Sequence, residues 1–168
     1  MTPRLTAVPE AAPAALATTD DGVATIGAAV VVERDRSGLL VLTRAECLRL
    51  LATTTLGRVG ITIGALPAIT PVNFRLVDQS IVFRTGVGTR LEAATRDAVV
   101  AFEADRVDSL TGEGWSVTVT GTARQTDDPD ELAALGRLHI PRWTEWGDDR
   151  FVVVSTDIIT GRRSPHLS

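Results

Sequence analysis

The sequence predicts a mainly β fold, a small antiparallel barrel decorated with small helices. Three observations carry that expectation. Several short runs alternate apolar and polar side chains, the period of half-buried strands. Most of these runs are joined by tight turns rather than by helices. Neither a βαβ rhythm nor Gly-x-Gly-x-x-Gly after a first strand is present, which argues against a doubly wound parallel sheet. A chain of 168 residues is long enough for one domain with a true core.

Residues 1–38 read as a flexible leader rich in Ala, Thr and Pro. Within it Val23–Val32 is apolar enough for a strand, broken at Asp35–Gly38. Residues 39–168 form the barrel domain. Thr43 caps a helix with Glu46 at its third position, Leu42 staples onto Cys47, and Cys47, Leu48, Leu50 and Leu51 are its buried stripe. Gly57 is expected to end that helix. Val59, Ile61 and Ile63 then alternate in a strand closing at Gly64. Ala98–Ala104 has almost no polar interruption and reads as a strand buried on both faces. Asp105–Gly114 is a polar loop. In Trp115–Arg124, Trp115, Val117, Val119, Gly121 and Ala123 alternate with Ser116, Thr118, Thr120, Thr122 and Arg124. Asp128 caps a further helix with Pro129 at its first position and Leu132, Leu135 and Leu138 inward. Pro141, Trp143 and Trp146 fall in a loop, Phe151–Ile159 is the last strand, and Thr160–Ser168 is a polar tail.

The stretch Leu66–Glu92 organises the rest. Val72, Phe74 and Leu76 alternate with Asn73 and Arg75, Asp78 and Gln79 reverse the chain, and Ser80–Thr85 returns as a second strand. The hairpin delivers Arg84 and Thr85 to Gly86-Val87-Gly88, after which Thr89 caps a helix beginning at Arg90. A helix start leaves N–H groups unpaired and carries partial positive charge, so it attracts phosphate. Two glycines let the backbone approach, and hydroxyls and arginines add charge-assisted hydrogen bonds. Thr89-x-x-Glu92 equally fits a capping box, which needs no ligand, and Glu92 would repel a phosphate unless it folds back onto the Thr89 amide. Both readings stay open on these residues alone.

Composition narrows the function classes. A formal charge of -4 offers no basic stripe for nucleic acid. Cys47 is the sole cysteine, so neither an intrachain disulfide nor a cysteine-based metal cluster can form. The only histidines, His139 and His166, lack a spaced partner of the metal-ligand kind. No apolar run reaches the roughly 18 residues of a membrane span, and Arg4, Pro9, Glu10 and Pro13 stand where an export signal needs an apolar core; a cytoplasmic location is expected. Hydrolase motifs such as Gly-x-Ser-x-Gly, a Walker loop or His-Glu-x-x-His do not occur. Any catalysis therefore calls for an imported cofactor.

Ala68-x-x-Pro71-Val72-Asn73-Phe74, Ile81-Val82-Phe83-Arg84-Thr85 and Gly88-Thr89-Arg90-Leu91 together resemble the pyridoxamine 5′-phosphate oxidase-like flavin-binding split barrels. Gly57-Arg58-Val59-Gly60, Gly114-Trp115-Ser116-Val117 and Ile159-Thr160-Gly161-Arg162-Arg163 fall where that family places neighbouring strands, so the likeness spans about Leu42 to Arg163. It implies a six-stranded antiparallel split barrel, a homodimer, and FMN or a deazaflavin in the groove between protomers. Pro71, Val72 and Asn73 would line the ring. Arg84, Thr85, Thr89 and Arg90 would hold the phosphate, with Arg90 where many members carry lysine. Trp115 would approach the cofactor from the partner chain, or serve as a core or interface residue. The implied activity is hydride transfer to or from a small organic substrate. Ile158–His166 does not reproduce the Trp-Arg-Leu-x-Pro-like ending that grips pyridoxamine phosphate, so that substrate is not expected. A non-catalytic flavin, deazaflavin or haem carrier or sensor is the alternative, and an empty dimeric barrel a third.

Overall fold

The computed structural model describes residues 33–142 and 148–165. Its elements, in order, are β1 (Leu40–Val41), α1 (Arg44–Leu51), β2 (Leu56–Ile63), β3 (Leu66–Val77), β4 (Ser80–Gly86), α2 (Arg90–Ala94), β5 (Ala98–Val107), β6 (Gly114–Gln125), α3 (Pro129–Gly136), β7 (Asp149–Val154) and β8 (Ile158–Arg163). All pairings are antiparallel. They run β2–β3–β4–β7–β6–β5 and return to β2, a closed ring of six strands, with β8 and β1 extending from β6. The expected mainly β barrel with small helices is what forms.

Alternation decides the core. Val59 and Ile61 of β2, Phe74 of β3, Ile81 and Phe83 of β4, Val100 and Phe102 of β5, Val117 and Val119 of β6, and Val152 and Val154 of β7 point inward and are buried. Phe74 and Phe102 meet edge to face, 4.8 Å apart and inclined at 68°. Helix α1 lies against one end of the barrel through Cys47, Leu50 and Leu51. Its capping box is complete: Glu46 accepts from the Thr43 amide at 2.8 Å, and the Thr43 hydroxyl accepts from the Glu46 amide at 3.3 Å. A second apolar cluster lies outside the barrel, where Leu135 and Ile140 cover Val82, Phe151 and Val153.

Four expectations need correction. Gly57 does not end α1; it lies inside β2, where a Cβ would run into the Phe102 ring. Strand β5 is not buried on both faces: Val100, Phe102 and Ala104 face the core, while Val99 is 72% exposed. Among the described residues no helix covers its outer side. The last strand is two. Ala123 pairs with Val154, yet Thr120 pairs with Ile158, so three residues, Ser155–Asp157, oppose only Gly121 and Thr122. That extra residue is a bulge, which bends the strand as the barrel closes. Finally, Thr160 to Arg163 belong to β8 rather than to a polar tail.

The hairpin between β3 and β4 has the expected two-residue turn, with Asp78 and Gln79 at φ 46° and 63°. Both lie in the left-handed region that such turns require. Residues 33–38 make a turn in which Asp35 accepts from the Ser37 and Leu39 amides and pairs with Arg162 at 2.8 Å. The strand expected at Val23–Val32, the tryptophans Trp143 and Trp146, and His166 lie outside the described residues. Among the described residues no helix is long and apolar enough to cross a membrane.

Candidate functional site

The candidate site lies where β3 and β4 part. They pair from Val77↔Ser80 to Phe74↔Phe83 and no further. Beyond that point β3 continues as Asn73, Val72 and Pro71 beside β2, whereas β4 continues as Arg84, Thr85 and Gly86 beside β7. The two segments singled out in the sequence therefore face each other across a gap in the barrel wall. Asn73, Arg84, Thr85, Gly86, Pro141, Arg142 and Asp149 line a cavity of about 80 Å³ there.

The bend above it is tightly built. Thr85 is buried and its hydroxyl lies 2.9 Å from that of Thr89. Thr89 is the N-cap of α2 and accepts from the Glu92 amide at 3.0 Å. Gly88 takes φ +77°, which a β-carbon would strain. The Val87 amide is held by the Asp148 carbonyl at 2.9 Å. Glu92 is buried at the start of α2, with its carboxylate beside both Arg96 and the Gly88 amide. Its carboxylate turns to Arg96 at 2.7 Å, whose guanidinium holds its pKa below the usual carboxylate value. Gln125 also ties α2 to the end of β6, donating to the Glu92 carbonyl at 2.7 Å.

The two arginines of the bend differ. Arg90, at the first position of α2, is exposed and makes no ion pair among the described residues. Arg84 lies over the Phe151 ring, 4.9 Å from its centroid. Its Nη2 is 3.0 Å from Asp149 Oδ2, and Arg142 Nε reaches the same oxygen at 2.8 Å. These are charge contacts without hydrogen-bond alignment, because Arg84 Nε and Asp149 Oδ2 are both buried with no hydrogen-bond partner. Such a pair of unfulfilled polar atoms at a cleft marks a place where an incoming group can complete the network.

On β3 the Val72 side chain is buried in the core, so only its backbone can face the gap, while Pro71 is exposed. The Asn73 amide donates to the Pro141 carbonyl at 3.0 Å. Trp115 stands apart. It lies at the start of β6, ten residues, on the order of 30 Å of strand, from Gln125 at the α2 end. Sequence reading missed Pro141, Arg142 and Asp149. Asp149 joins the site through the register Gly86↔Asp149, Pro141 through its carbonyl on Asn73 and Arg142 through its ion pair with Asp149, none of which a local motif encodes. His139 is exposed, and among the described residues no cluster of three or more His, Cys, Asp or Glu could hold a metal ion.

Comparison with known proteins bears on this geometry. Residues 43–163 match the family model described as pyridoxamine 5′-phosphate oxidase. An uncharacterised protein of Mycobacterium tuberculosis, Rv0080, is 42% identical over 127 residues, covering 73% of this chain and 83% of its own. The FAD binding protein from Mycobacterium smegmatis superposes with TM-score 0.66 at 37% identity, over 74% of this chain and 99% of that one. A candidate pyridoxamine 5′-phosphate oxidase from Corynebacterium glutamicum gives TM-score 0.65 at 31% identity, over 75% and 93%.

Proposed function

The chain belongs to the pyridoxamine 5′-phosphate oxidase family, and from that premise we propose that it is a flavin-dependent oxidoreductase acting on a small organic substrate. The observation that carries the reading is the parting of β3 from β4 directly beside a hydroxyl- and arginine-bearing bend. Arg84, Thr85, Thr89 and Arg90 hold the phosphate of the cofactor. The Pro71–Asn73 segment lies along its ring, with the second N–H of the Asn73 amide as the donor at the ring edge. The flavin supplies the hydride chemistry; the protein orients it and keeps water away. FMN is the cofactor proposed, with a deazaflavin as the competitor. The FAD bound by the Mycobacterium smegmatis relative makes the dinucleotide a third arm of the test.

A cavity of about 80 Å³ in one chain cannot enclose a tricyclic ring. A homodimer is therefore part of the proposal, with the second copy closing the groove. Val99, Ile69, Leu66 and Ile158 are 72%, 74%, 70% and 62% exposed and provide apolar surface for such a contact. The experiment is a titration of purified protein with riboflavin, FMN, FAD and a deazaflavin, repeated on Thr89→Ala/Arg90→Ala. The double variant is expected to lose roughly 2–4 kcal/mol of affinity for FMN and little for riboflavin, since each charged hydrogen bond is worth about 1.5–3 kcal/mol. Equal affinity of the native protein for riboflavin and FMN overturns the phosphate assignment. Reduction of the bound chromophore by a nicotinamide, followed by reoxidation with turnover, separates an oxidoreductase from a carrier.

A further inference from the structure

Two hydroxyls meet in the bend, and their hydrogens can be counted. The turn at Gly86–Gly88 brings Thr89 back over Thr85. The Thr89 amide donates to the Gly86 carbonyl at 3.3 Å, and the two hydroxyl oxygens stand 2.9 Å apart. A threonine hydroxyl owns one hydrogen and two lone pairs. One lone pair of Thr89 is already taken, because it accepts from the Glu92 amide at 3.0 Å. That residue is held in turn at its carbonyl, which accepts from the Gln125 amide at 2.7 Å and from the Thr95 hydroxyl at 3.2 Å.

Only one of the two hydroxyls can donate to the other, which leaves two arrangements. If Thr89 donated to Thr85, the Thr85 hydrogen would need an acceptor of its own. Thr85 is 6% exposed, and among the described residues its hydroxyl has no other hydrogen-bond partner. If Thr85 donates instead, its hydrogen is satisfied, and the one left over belongs to Thr89, which is exposed. Stranding a buried donor biases the choice by roughly five- to a hundredfold toward this second arrangement. Both lone pairs of Thr89 are then filled, by the Thr85 hydroxyl and the Glu92 amide. Its own hydrogen is left for an acceptor outside the chain, and polarisation along the row of bonds strengthens it as a donor.

We propose that Thr85 is a positioning residue that acts on the bound anion through Thr89. By donating to Thr89 it makes that hydroxyl an obligate donor, and it does not touch the anion itself. With its hydrogen spent, Thr85 offers only lone pairs, which repel an anionic oxygen. The inference rests on the assignment of the cofactor phosphate to this bend, and it divides the work there. Arg84 and Arg90 supply charge, Thr89 supplies the hydroxyl hydrogen, and Thr85 supplies its direction. The ligand atom opposite Thr89 must be an acceptor, as every oxygen of an ionised phosphate is.

The test is a set of fluorescence titrations of the full chain with FMN and with riboflavin. Thr85→Val, which removes the hydroxyl and keeps the branched shape, should weaken FMN about fivefold and leave riboflavin within about twofold. Thr85→Ser should keep FMN within about twofold of the native value, and Thr85→Ala is the second hydroxyl-free variant should valine not fold. The deciding measurement repeats the change in a Thr89→Ala background, where Thr85→Val should alter FMN affinity by less than about twofold. An equal loss in both backgrounds means that Thr85 touches the phosphate directly, and overturns the proposal. Native FMN affinity in the hydroxyl-free variants overturns it too, as does a serine variant no better than valine. A riboflavin loss as large as the FMN loss would reduce Thr85 to a support of the fold, with the same consequence. Native protein that binds FMN no better than riboflavin removes the phosphate assignment and this inference together, whereas a native preference for FMN with additive losses removes the inference alone.

Discussion

Strands β5 and β6 stay paired through ten consecutive residue pairs, whereas β3 and β4 pair through only four although β3 has twelve residues. The first region shows what the sequence does when packing alone decides. Inward positions are Val100, Phe102, Val117 and Val119, outward ones are Thr118, Thr120 and Thr122, and the ladder satisfies the backbone. The second gives up pairing where Asn73 faces Arg84, and the Pro141 carbonyl and Arg142 side chain of a third segment enter the gap. Surrendered main-chain pairing beside charged side chains is thus the feature that separates the proposed binding region from the scaffold region in this barrel.

Phe102→Ala tests the scaffold side most severely. Its ring is fully buried, meets Phe74, and fills the space that Gly57 leaves open. A loss of about 3–5 kcal/mol is expected in denaturant unfolding, and a loss under roughly 1 kcal/mol would show that the core collapses around the hole. Gly121→Ala should cost about 1–3 kcal/mol, because its Cβ would run into the Ser155 carbonyl at the bulge. A melting temperature unchanged from the native chain would mean that the bulge is soft. Neither substitution touches the bend.

Asp149→Asn acts on the split side. Removing the carboxylate that both Arg84 and Arg142 contact leaves two guanidiniums for an incoming phosphate. Affinity for FMN should rise about fivefold, roughly 1 kcal/mol. A fall instead would show that Asp149 holds Arg84 in its binding position. The smallest effect is expected at Glu131, whose pKa is lowered to about 2 by the side-chain hydrogen bonds from Arg124. A depressed folded-state pKa gives stability that is present above the usual 4.5 and lost as pH falls toward about 2. Because Arg124 is 48% exposed, solvent screening limits the contribution to under about 1 kcal/mol. Glu131→Gln should remove that part of the acid dependence in melts between pH 5 and pH 2. A slope equal to that of the native chain would show the pair to be inert.

By itself the sequence determined the short-range features. Alternation gave the inward faces of β2, β3 and β6, and local hydrogen bonding gave the caps Thr43, Thr89 and Asp128 and the Asp78–Gln79 turn, because each depends on residues within a few positions. Two apolar strands show where that legibility ends. In β7, Phe151 and Val153 are covered outside the barrel by Leu135 and Ile140, while Val99 of β5 stays exposed. The two runs look alike in composition, and only the path of α3 distinguishes them. The site follows the same rule. Arg84, Thr85, Thr89 and Arg90 could be picked out because they are neighbours in the chain, whereas Asp149 was placed by the β4–β7 register and Arg142 by its ion pair with Asp149. Tertiary structure decided these because strand register and the covering of a face are settled by contacts between residues far apart in the chain, on which local periodicity is silent.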